Sequence, residues 1–160
     1  MNFYHLSGGL LGVGSIIEPG NWGRIVRAHG WNHPSSRHEA AIEQARMARF
    51  PAKPSRLDVA FVCPTADEAR LFRAATPAFG QHILYRVSLC DCSALSHIAD
   101  PRLCSPQGTF RCDWADTYWL DYDPAGASIP GINWPLATNG IQFREMLTLS
   151  QLRVEERLDT

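Results

Sequence analysis

The chain has 160 residues, 45% of them hydrophobic and 19% charged, with a formal net charge of −1. That composition excludes a disordered chain and fits one globular domain, 1–160, able to bury roughly 70% of its unfolded surface. The near-zero charge gives no sign of a nucleic-acid or anionic-membrane surface, and no apolar run approaches the ~18 residues of a transmembrane helix. The N-terminus lacks the basic, apolar and small-residue order of a signal peptide. Five cysteines, an odd number, fit reduced thiols, so the expected setting is cytoplasmic, or export without a cleaved leader.

Residues 3–7 read as a short strand, followed by a turn punctuated by Gly8, Gly9, Gly12 and Gly14. The stretch from Asn21 to Ser36, rich in Gly, Trp, His and Pro, has no clear period and reads as a loop. Arg37 to Phe50 is the best helix, with Ser35 or Ser36 as its cap, Glu39 near N3, and Pro51 and Pro54 beyond its end. Leu57 to Cys63 reads as a buried strand, and Ala66 to Ala75 as a helix capped by Thr65. Gln81 to Cys90 alternates as a strand, with Ile83, Tyr85 and Val87 on one face and Leu84 and Arg86 on the other. Asp91 to Pro135 reads as irregular, and Glu145 to Leu158 supplies one or two closing strands. Many short strands with two helices make a mixed α+β domain.

Most of the conspicuous side chains carry little chemistry. Cys90, Cys92, Cys104 and Cys112 depart from the knuckle spacing of structural zinc, and Cys63 reads as packing. His29, His33 and His38 are separated by Gly30 and Pro34, so they share no helical ligand face. No metal is expected. The glycine spacing matches neither a dinucleotide fingerprint nor a P-loop, and no Gly-x-Ser-x-Gly is present. The aromatics Trp114, Tyr118, Trp119, Tyr122 and Trp134 read as a layer over the sheet, with an acceptor surface as the alternative. Two polar residues remain. His5 lies inside the first strand and Glu145 heads the apolar run to Glu155, and a polar group so placed is costly unless satisfied or used.

Tyr4-His5-Leu6-Ser7, followed by Val13-Gly14-Ser15-Ile16-Ile17-Glu18-Pro19-Gly20, resembles the opening of ADP-ribosyltransferases of the diphtheria-toxin and poly(ADP-ribose) polymerase type. Small bacterial rifamycin ADP-ribosyltransferases start the same way. The stretch from Val59 to Ala69 looks like the family's aromatic strand running into a short helix. Ile83 to Val87 is similar to another of its strands, and Glu145 to its catalytic glutamate. A closer likeness is to an uncharacterised bacterial group near these enzymes, marked by Glu39, Glu43 and Arg46 on a helix and by Pro54-Ser55-Arg56.

The resemblance implies an ADP-ribosyltransferase-like split β-sandwich that uses NAD as substrate. It implies His5, Phe61 and Glu145 as catalytic residues. Glu145 would stabilise the oxocarbenium-like ribose through its 2′-OH, His5 would bind the adenosine ribose, and Phe61 would stack on nicotinamide. Leu6 and Ser7 join His5 and Phe61 around the cofactor, with Ser7 orienting Glu145 or the ribose. Arg56, and after it Arg24 or Arg27, are the pyrophosphate candidates by charge alone. The expected activity is mono-ADP-ribosylation of an unidentified acceptor, foremost a protein. The alternatives are an NAD-binding module without catalysis, or a toxin-like NAD glycohydrolase.

Three departures matter. Leu6 replaces the family's glycine and its side chain threatens to narrow the pocket. Phe61 replaces a tyrosine. Phe143 stands where arginine-directed toxins carry Gln or Glu, which argues against that class.

Overall fold

A computed structural model describes residues 1–104, 112–122, 137–138 and 140–159. Its strands are β1 (Phe3–Ser7), β2 (Ile16–Ile17), β3 (Ala60–Val62), β4 (Ile83–Leu89), β5 (Ser96–Ala99), β6 (Ala137–Thr138), β7 (Ile141–Gln142), β8 (Glu145–Thr148) and β9 (Leu152–Arg157). Its α-helices are α1 (Asn21–His29), α2 (Ser36–Arg49), α3 (Ala66–Ala75) and α4 (Cys112–Trp119). The architecture is α+β. One antiparallel sheet runs β1-β4-β9-β2, a second runs β3-β8-β5, and β6 and β7 form a small ribbon. No helix among the described residues is long and apolar enough to cross a membrane.

The closing stretch divides between the two sheets. β8 is the middle strand of the three-stranded sheet and β9 an inner strand of the four-stranded one. Successive residues of a strand face opposite ways, so β8 has two different faces. Met146, with Ala60 and Val62 of β3, packs against Phe3, Tyr85, Val87, Leu152 and Val154 of the larger sheet. Leu147, with Val59 and Ala99, packs against Ile42 and Ala45 of α2 and Tyr118 and Trp119 of α4. The Trp119 indole N–H donates to the Ile42 carbonyl at 2.8 Å, fastening α4 to α2. On the outer face of the larger sheet, Leu84, Leu6 and Tyr4 pack with Cys63 and Ala69 of α3.

α3 begins as its sequence indicates: the Thr65 hydroxyl oxygen accepts the Glu68 N–H at 3.2 Å. β4 keeps the expected alternation but is trimmed to 83–89. Four expectations are corrected. Asn21 to Ser36 is not a loop, because α1 and a 3-10 turn at Gly30–Asn32 occupy most of it. Gly23 breaks the apolar pattern that would have announced α1, yet it is what lets the helix dock. A Cβ there would lie 1.9 Å from the Leu57 carbonyl oxygen. α2 spans 36–49 with no side-chain cap, and Glu39 does not close a capping box. The strand expected from Leu57 shrinks to 60–62, its first residues forming a turn in which Asp58 N–H donates to the Ser55 carbonyl at 3.0 Å. The stretch expected to be irregular holds β5, α4 and a 3-10 turn at Pro101–Cys104.

Candidate functional site

β1 and β3 belong to different sheets and meet at one point. Tyr4 and Cys63 exchange both backbone hydrogen bonds, Tyr4 N to Cys63 O at 3.0 Å and Cys63 N to Tyr4 O at 2.7 Å. The pairing goes no further. Two residues beyond Tyr4, Leu6 turns its N–H and C=O toward the same side, where the strands part opposite Phe61. His5 spans this opening. Its Nδ1–H donates to the Phe61 carbonyl at 2.8 Å. Burial lowers the His5 pKa, opposed in part by that hydrogen bond. The ring is thus held neutral, leaving Nε2 as an acceptor.

Phe61 and Glu145 lie on one face of the three-stranded sheet. Phe61 is paired with Leu147, so Glu145 sits diagonally from it, roughly 7 Å away between Cβ atoms. The link between them is Arg56, whose guanidinium carbon lies 4.9 Å from the Phe61 ring centroid and the same distance from that of Tyr118. Arg56 Nη1 donates to Glu145 Oε1 and to the Tyr118 hydroxyl. The Tyr118 hydroxyl donates in turn to Glu145 Oε1 at 2.7 Å. The other edge of the guanidinium faces Glu39, with Nε 3.0 Å from Oε2 and Nη2 3.2 Å from Oε1. Trp22 Nε1 adds a donor to Glu39 Oε1 at 2.9 Å. Glu39 is 3% exposed, Arg56 and Glu145 7% each, and Tyr118 not at all. None of the described hydrogen bonds uses Glu145 Oε2.

The electrostatics follow from this burial. It works against the Arg56 charge, but the Glu145 and Glu39 carboxylates, joined by Cys104 and Tyr118 once these ionise at high pH, outweigh it and hold the guanidinium well above its ordinary range. Burial pushes the Tyr118 hydroxyl and the Cys104 thiol well up, so both keep their protons at neutral pH. Cys63 is likewise raised by burial, and Glu145 adds to the effect.

Glu39, Glu43, Arg46, Ser55 and Arg56 acquire a physical role here. Arg46 forks onto Glu43 and reaches the Lys53 carbonyl at 3.2 Å, while the Ser55 hydroxyl donates to Glu43 Oε2 at 3.0 Å. With Glu39 on Arg56, these bonds clamp the 51–58 loop against α2. They deliver Arg56 to the head of β8. Glu39 and Ile42 occupy the same buried stripe of α2, with Ala45 three residues further on. That stripe is the sequence signal by which Glu39 was findable. Tyr118 had no such signal, because its hydroxyl meets Glu145 only after α4 has packed across the sheet.

The remaining candidates are placed less centrally. The Leu6 side chain points to the outer face, away from the His5 side, so it does not narrow the opening. Ser7 Oγ accepts the Gly9 N–H at 3.1 Å and therefore serves its own turn rather than Glu145. Arg56 is sealed between two carboxylates, not presented at a surface. Arg24 is exposed and bonded only to Asn21 Oδ1, at 3.3 Å, and Arg27 pairs with Asp58 at 3.0 Å on the surface. Phe143 packs in an aromatic and cationic stack with Phe72 and Arg102. Of the aromatic segment, Trp114, Tyr118 and Trp119 are buried in the layer over the sheet, and Trp134 lies outside the described residues. No hydrogen bond or ion pair among the described residues joins His5 directly to Glu145. No protein-family model matches the chain, and no curated protein matches it.

Proposed function

We propose that the chain is an NAD-dependent mono-ADP-ribosyltransferase built on an ADP-ribosyltransferase-like split β-sandwich. One observation carries the reading. The parting of β1 from β3 has His5 and Phe61 at its mouth, and Phe61 is joined through Arg56 to Glu145. Residues separated by most of the sequence thereby form one connected set, in the order that the motifs anticipate.

In this reading the edge of Leu6 that faces away from β4 holds the nicotinamide amide through its backbone, and the Phe61 ring stacks on the pyridinium. His5 Nε2 accepts a hydroxyl of the adenosine ribose. The exposed Arg24 is the better candidate for pyrophosphate, since Arg56 is committed to Glu39 and Glu145. Glu145 Oε2 accepts the 2′-OH of the nicotinamide ribose. The bond from C1′ to the ring nitrogen breaks, its electron pair leaves with nicotinamide, and the carboxylate stabilises the cationic ribose. An acceptor nucleophile then bonds to C1′ and releases a proton. A protein side chain is the favoured acceptor.

One observation favours a second reading, an NAD-binding module that does not cleave. Arg56 already lies on Glu145 and offsets part of its charge. Calorimetric titration with NAD and an assay of nicotinamide release decide between them. Glu145→Ala should lose roughly 10²–10³-fold in release while still binding NAD. Equal release from both proteins removes Glu145 from the reaction, and binding without release from wild type selects the second reading. Labelled NAD in a lysate separates transfer from hydrolysis, since hydrolysis yields ADP-ribose and no labelled macromolecule.

A further inference from the structure

Several ion pairs lie close together around β8. Glu68 meets Arg144 and Asp100 meets Arg102, each guanidinium partly exposed. Arg56 is buried and shared between two carboxylates, Glu39 and Glu145. The sharing is uneven. Glu39 takes Nε and Nη2, whereas Glu145 receives only Nη1 of the guanidinium, which also serves Tyr118, together with the Tyr118 hydroxyl. The cluster therefore sets two buried carboxylates against one guanidinium. Such an imbalance is costly to bury, and stability alone gives no reason for it.

We propose that Glu39 is a positioning residue that acts through Arg56. By taking two of the three guanidinium nitrogens, it keeps Arg56 from closing fully onto Glu145, whose remaining charge suits a cationic pyridinium ring and the oxocarbenium-like ribose. The inference rests on the reading of Glu145 as the reacting carboxylate. Without Glu39, Arg56 would close onto Glu145 as a neutral pair, and the site would lose its preference for a cation. Trp22 donates to the same Glu39 oxygen that accepts Arg56 Nη2 and so helps to fix that carboxylate.

The test uses two small probes that differ in charge, 1-methylnicotinamide, a cation, and nicotinamide, which is neutral. Binding of each is measured by NMR titration to wild type, Glu39→Gln and Glu39→Gln/Arg56→Gln, with melting curves for all three. Wild type should favour the cation by about tenfold, Glu39→Gln should lose the preference, and the double variant should regain it because Glu145 is then uncompensated. In parallel, Glu39→Gln should lower kcat for nicotinamide release by about 30-fold with KM for NAD changed less than about threefold, and the double variant should recover most of the loss. A purely structural role for Glu39 predicts no such recovery.

A wild type with no preference for the cation overturns the inference, whether or not the variants fold. So does a folded Glu39→Gln that keeps the preference, or a double variant no better than the single. If the preference follows Glu39 but wild type releases no nicotinamide, the charge inference stands and the turnover reading falls. If wild type and Glu39→Gln release nicotinamide equally fast, turnover stands and the inference falls.

Discussion

On one face of the three-stranded sheet, Met146, Val62 and Ala60 meet Leu152, Val87 and Val154 of the larger sheet in a wholly apolar seam. On the other, Leu147 and Ala99 share the surface with Glu145, Arg56, Tyr118 and His97, held down by α2 and α4. Both faces are buried, yet only the second contains charge. An apolar seam tolerates changes in volume at a graded cost, whereas a charged cluster holds only while every partner is in place. The first face supplies stability, and the second trades stability for a carboxylate of fixed orientation.

Removing the shared cation should have the largest effect. Arg56→Leu strands Glu39 and Glu145 without compensation, and we expect a loss of about 3–5 kcal/mol in urea unfolding at neutral pH. Leu152→Ala, on the apolar face, should cost about 3 kcal/mol by cavity formation, with nicotinamide release per folded molecule unchanged. If Leu152→Ala impairs release as much as changes around Arg56 do, the division of labour between the faces is wrong. Tyr118→Phe keeps the ring but removes the donor to Glu145, so it should cost about 2 kcal/mol by the same unfolding measurement.

The smallest effect is one of pH. Burial holds His97 below its ordinary pKa, against a weaker opposing contribution from its hydrogen bond to the Tyr118 carbonyl, and His5 is lowered in the same way. The unfolded imidazoles protonate first as pH falls through about 6.5. Stability is therefore complete above that value and declines below it, until the folded-state pKa values are reached. Denaturant midpoints at pH 7.5 and 5.5 should differ by on the order of 1 kcal/mol. His97→Gln retains a donor for Tyr118 but cannot titrate, and it should flatten the dependence.

Elements with a local signal were legible in the sequence. Thr65 before Ala66, the alternation along 83–87, and the prolines after α2 each specify a boundary within a few residues. α1 was hidden because its defining residue is a glycine, whose value lies in the 51–58 loop it admits. The candidate site was legible at His5, Phe61 and Glu145, where motif and strand position coincide. It was not legible at Tyr118, whose partner lies 27 residues away in sequence, and at Glu39 the stripe of α2 signals burial but not the partner 17 residues on. The motif residues Glu39 and Arg56 were both conspicuous, but no linear spacing announces that they meet.

The strand order has a consequence for how the molecule comes into being. β8 lies between β3 and β5, and β9 between β4 and β2, so each sheet receives its inner strand from the stretch 145–157. A growing chain can pair β1 with β4 early, but β2, β3 and β5 wait without a ladder until that stretch has been made. Their open edges are the period of greatest exposure to misassembly. Glu145 is the first residue of the strand that ends this wait. The carboxylate therefore reaches Arg56 in the same event that completes the sheet, and a half-built chain holds neither the ion pair nor the strand.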